Sequence, residues 1–92
     1  MKNNSIPVRS ETAELNYNED EHEFYLIDKN EESATFINES TAIIWQLCDG
    51  SRQISSIIDL IVESYPDQET EIVQHVQDAI ESLKRKNLIS LN

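Results

Sequence analysis

Glycine is nearly missing from this chain: Gly50 is the only one in 92 residues. A loop that cradles phosphate needs several glycines so that backbone N–H groups can converge on the anion, so that class of site is excluded. A single cysteine, Cys48, excludes an internal disulfide, and a reducing compartment is the simplest home for it. Apolar runs are short, and none approaches the roughly 18 residues of a membrane span. The opening "MKNNSIPVRSE" carries no apolar stretch, so no signal peptide is expected and the expected location is cytoplasmic. Basic residues are scarce as well. Seven Lys+Arg stand against 18 Asp+Glu, a formal net charge of −11. Such a charge repels phosphate backbones and anionic membrane surfaces, so neither nucleic acid nor membrane is expected as a partner. It suits a basic protein or peptide, although solubility alone also accounts for it. The excess is no separate tail: residues 1–46 hold 10 acidic and 3 basic groups, residues 47–92 hold 8 and 4.

What is present fits one small α+β domain with a single core. Residues 1–7 read as a flexible lead-in and 8–92 as the domain. From 12 to 37 the pattern is that of strands. "TAELNY" (12–17) alternates weakly, "EFYLI" (23–27) is aromatic and branched, and "SATFI" (33–37) follows a turn-like "DKNEE". Short polar connections predict a three-stranded antiparallel meander. "FYLI" is apolar on both faces and belongs in the middle, which puts "SATFI" at an edge. From 38 onward the apolar period becomes helical. Asn38 is a good N-cap for a helix reaching about Cys48, and left-handed Gly50 can end it. Ile54, Ile57, Ile58, Ile61 and Tyr65 define a second helix over about 54–64, stopped by Pro66. Asp67 can cap a third, from about 68 to 86, whose apolar stripe is Ile72, Val76, Ala79, Ile80 and Leu83. Asn87 can close it, after which "LISL" (88–91) packs back or adds a short strand. A short antiparallel sheet followed by three helices is winged helix-turn-helix-like.

No catalytic constellation can be assembled from these residues. Cys48, between apolar neighbours, reads as a core thiol rather than a nucleophile. His22, in "EDEHE", reads as part of an acidic hairpin loop rather than a metal ligand. His75 sits one position before the apolar stripe and reads as a rim residue. Lys84-Arg85-Lys86 is the one basic cluster, and cations at the end of a helix are expected from its dipole alone. A small acidic carrier protein would need Asp-Ser-Leu at a helix start; Glu81-Ser82-Leu83 lies late in a helix.

One stretch is more specific. Ile37, Asn38, Thr41, Ala42, Ile44 and Trp45, then Leu47-Cys48-Asp49-Gly50 and Arg52, form a pattern that resembles the PqqD family. These are peptide-binding proteins of pyrroloquinoline quinone (PQQ) biosynthesis, within the wider set of recognition elements for RiPP precursor peptides. "IVESYP" and "LKRKNLI" extend the resemblance over about residues 8–90. Gln53 stands where the family commonly has a capping threonine, and Asn87 where it commonly has glycine; both are structural departures. The resemblance implies a non-catalytic protein without a cofactor. It implies that the leader segment of a ribosomally made precursor peptide adds as an extra strand beside the third strand, in the groove toward the third helix. The client is then a modifying enzyme, often of the radical SAM type, or a leader peptidase in lasso-peptide systems. The residues agree independently, since a short edge strand leaves backbone groups open to strand addition. Ala34, Thr35, Phe36 and Ile37 are the strand-side candidates. Val73, Gln77, Ile80 and Lys84, at three- and four-residue steps, are the helix-side candidates; Val73 and Ile80 are equally readable as core, and Lys84 as a plain surface cation. The other reading is a winged-helix interaction module with no peptide client.

Overall fold

A computed structural model describes residues 4–92. Along the chain run β1 (Pro7–Arg9), β2 (Ala13–Asn18), β3 (Glu23–Asp28), β4 (Ser33–Ile37), α1 (Glu39–Leu47), α2 (Ile54–Ser64), α3 (Glu69–Arg85) and β5 (Ile89–Leu91). The meander forms as the alternation dictates. β2, β3 and β4 make a three-stranded antiparallel sheet in that order, so β3 is central and β4 is an edge. In this register Leu26 of β3 lies between Leu15 and Thr35 and is wholly buried. Period two then puts Tyr25, Ile27, Ala34 and Phe36 on the opposite face. The hairpins are closed by short polar side chains. Asn18 Oδ1 accepts from the N–H groups of Asp20 and Glu21, and His22 takes a left-handed φ of 54°. Asp28 is buried at the end of β3, but its carboxylate accepts from Thr12 Oγ1 at 2.9 Å and from the Asn30 N–H at 3.0 Å. A satisfied buried carboxylate of this kind is what a folded chain tolerates.

α1 starts where the side chain of Asn38 accepts the Thr41 N–H at 2.8 Å. Ile54, Ile57 and Ile58 on α2 and Ile72, Val76, Ala79, Ile80 and Leu83 on α3 meet Ile44, Trp45 and Cys48 of the α1 segment in one core, which Leu26 closes from the sheet. Each aliphatic side chain so buried contributes roughly 1.5–3 kcal/mol. This is why the spacing of the isoleucines in α2 overrides their weak preference for strands.

Three differences from the sequence reading have plain causes. β1 was not expected. It pairs antiparallel with β5 in a second, two-stranded sheet, Val8 opposite Ser90, and bridges to Asp49. Of the expected lead-in, residues 1–3 lie outside the described residues. Ser5 and Ile6 carry backbone hydrogen bonds to Ile54 and Asn92, and Pro7 is buried. Asp67 does not cap α3. Residues Pro66–Gln68 form a 3₁₀ turn, and the residue before α3 is Gln68, which makes no capping bond. Gly50 takes the expected left-handed φ of 83°, but the residue that closes α1 is Cys48, whose N–H donates to Trp45 O. Gly50 turns the chain so that its N–H reaches Pro7 O at 3.1 Å. Trp45 ties both ends of the chain to α1, because its Nε1–H donates to Leu88 O at 3.1 Å and Arg9 lies over its ring at 5.5 Å.

Candidate functional site

β4 pairs with β3 on one side, and among the described residues no strand pairs with its other side. Its N–H and C=O groups on that side form a row that a second extended chain can complete. The two faces of β4 differ. Thr35 and Ile37 are half-buried toward the helices, and Ile37 packs against the core. Ala34 and Phe36 are exposed on the far face, Phe36 at 68%, its ring 6.1 Å from that of Tyr25. A strand added here would therefore meet an aromatic face on one side and the helical layer on the other.

The helix-side candidates separate. Ile80 has no exposed surface and is core, because it lies within the apolar stripe of α3. Val73 and Gln77 are half-buried, and Lys84 is exposed with no ion pair among the described residues. What joins the end of β4 to α3 is a residue assigned only to the rim. Ser40 Oγ, three positions after Ile37, lies 2.8 Å from His75 Nε2 and 3.0 Å from Asn38 Oδ1. Asn38 Oδ1 already accepts the Thr41 N–H, so it is the acceptor for the Ser40 hydroxyl too. The one hydroxyl proton is then used, and Ser40 Oγ accepts from His75 Nε2–H. His75 thus pins the strand-to-helix junction onto α3. Val73 and Gln77 are each two residues from it, about 200° around the helix, on the opposite flank. Val73 nevertheless lines the same hollow as Ser40 and His75, at the start of α3. The Ser40–His75 pair spans 35 positions of sequence, and neither residue type signals it in advance.

Cys48 is fully buried and donates through Sγ to Ile44 O at 3.1 Å. Burial pushes its thiol up to about 12, against a partial opposing pull from Arg9. A thiol so protonated is a poor nucleophile. His22 is exposed in its turn and bonds Tyr17 through Nδ1. Among the described residues no group of three His, Cys, Asp or Glu side chains could hold a metal ion, and no helix is long and apolar enough to cross a membrane.

The family model for coenzyme PQQ synthesis protein D (PqqD) matches residues 23–89, well over half of the chain. A "PqqA binding protein" of Pseudomonas syringae pv. syringae (strain B728a) is 40% identical over 55 residues, which are 60% of this chain and 57% of that protein. The chain thus aligns with little more than half of that relative's length. No solved structure matches.

Proposed function

The chain belongs to the PqqD family, and from that premise we propose that it binds the leader segment of a ribosomally made precursor peptide and presents it to a modifying enzyme. The relative named for binding PqqA supports a peptide of that kind, in PQQ biosynthesis. In this reading residues 8–92 act as one peptide-recognition domain of winged-helix type, non-catalytic, without a cofactor, and in the cytoplasm. The enzyme that receives the peptide is of the radical SAM type or a leader peptidase. The observation that carries the reading is the open edge of β4. The leader adds along Ala34, Thr35, Phe36 and Ile37. Main-chain bonds supply affinity with little demand on sequence, and alternate side chains read the two faces. On α3 the proposed contacts are Val73, Gln77 and Lys84, on the flank turned away from His75, with Ile80 buried in the core beside them.

The test uses proline, which lacks the N–H and so removes one ladder bond wherever it stands. Neighbouring N–H groups of an edge strand alternate between the sheet and the open side. Among Thr35→Pro, Phe36→Pro and Ile37→Pro, the variants with an outward N–H should keep their melting temperature within a few degrees and lose calorimetric binding of the cognate precursor about tenfold or more. The inward ones should lose folding. If no position separates binding from folding, β4 is not the docking edge.

A further inference from the structure

A second surface begins where the β4 edge ends, since Asn38, Ser40 and His75 are among its lining residues. α1, α2 and the first half of α3 border an open hollow of about 820 Å³. Its walls include Ile43, Leu60 and Tyr65, which are 46%, 42% and 58% exposed. These are three of the five large apolar side chains left exposed among the described residues, gathered in one place rather than scattered. Beneath them Ile44, Ile72 and Val76 belong to the core, so the floor is rigid and apolar. Single exposed apolar residues need no explanation, but a cluster around a concavity does. Glu39 is the one carboxylate among its lining residues, no lysine or arginine lines it, and the stretches of chain that form it are acidic throughout. α1, α2, the 3₁₀ turn and the first turn of α3 carry Glu39, Asp59, Glu63, Asp67, Glu69 and Glu71, and no lysine or arginine.

We propose that this hollow docks a cationic amphipathic helix of a protein partner. A groove between helices takes a helix through apolar side chains at three- and four-residue steps. The acidic surround selects one whose other face is basic, by steering it in and by rejecting acidic competitors. A second copy of this chain is disfavoured by the same argument, since it brings another net charge of −11. The inference does not depend on strand addition at β4. It supplies what an adaptor with that edge occupied still requires, a second surface for the protein that receives the cargo.

The test is a titration of the isotopically labelled full chain with a Leu/Lys helical peptide of about 15 residues, long enough to hold a helix once bound. Scrambled and Leu/Glu versions serve as controls. The expected result is resonance shifts at Ile43, Leu60, Ser64 and Tyr65, affinity that falls with added salt, and no binding of the Leu/Glu version. Leu60→Lys should weaken binding at least tenfold with its melting temperature kept. Ile43→Lys does the same on another helix if the first variant folds poorly. Equal binding of the scrambled peptide, unchanged affinity in both variants, or shifts confined to Thr35–Ile37 would overturn the proposal. So would sedimentation showing a dimer that Leu60→Lys dissociates, because the hollow would then belong to a second copy. Binding of the precursor is measured separately on the same sample, so failure here leaves the β4 reading standing.

Discussion

At the scale of single residues, Cys48 shows how a reactive group becomes a structural one. Its neighbours Ile44, Trp45 and Ile54 belong to the core, and desolvation raises the thiol from 9.0 to about 12. Between those values the unfolded chain has released the proton while the folded chain keeps it. The folded state then binds more protons, so the stability linked to Cys48 is intact below pH 9 and is lost as pH rises toward 12. Thermal melting followed across that window should fall more steeply for the wild type than for Cys48→Ala. Other alkaline groups titrate in both proteins, so the difference between the curves isolates the thiol. Parallel curves would mean that Cys48 is more hydrated than its complete burial indicates.

At the scale of elements, the junction between β4 and α1 matters most. Asn38 Oδ1 holds the first turn of α1 through Thr41 and sets the Ser40 hydroxyl that meets His75. Asn38→Ala should cost about 1 kcal/mol from the lost cap. Urea unfolding measures it, and a loss near zero would mean that water replaces the cap without penalty. The same variant frees Ser40 to turn away from Asn38, so it tests whether the cap also sets the strand edge. The run lengths of β2, β3 and β4 were legible in the sequence because polar turns bound each short run, and the isoleucine spacing of α2 because that helix buries one face. The edge position of β4 followed from "FYLI" being apolar on both faces, a pattern only a central strand requires. β1 was not legible, since three residues with a proline and an arginine carry no period. The 3₁₀ turn that displaces Asp67 from the cap was hidden for a similar reason, because a proline stop and a turn look alike. The burial of Ile80 agrees with its place in the stripe, whereas the pinning role of His75 depends on how α3 rotates about its axis. That rotation is set by contacts with α1 and α2, distant in sequence, so the stripe alone fixed the apolar side of α3 but not which flank meets the strand junction.

At the scale of the molecule, charge opposes compactness. Eighteen acidic groups share a fold whose radius of gyration is 13.0 Å. Two ion pairs hold among the described residues, Lys29 with Glu14 and Arg52 with Asp49. Pairs at the surface contribute on the order of 0–1 kcal/mol each, so they offset little. Repulsion among the remaining acids acts across the whole body when screening is weak. At about 0.01 M salt the screening length is roughly 30 Å, longer than the radius of gyration; at about 0.15 M it is roughly 8 Å, and only near neighbours still interact. The unfolded chain spreads the same charges farther apart, so it is relieved less by salt. The melting temperature should therefore rise by several degrees between those two salt concentrations. A fall would mean that attractive pairs outweigh the self-repulsion. Binding of a cationic partner must move the other way, weakening as salt rises, because the field that destabilises the free fold is the one that attracts the ligand. Opposite salt responses of stability and binding, in one protein, are what the distribution of its charges requires.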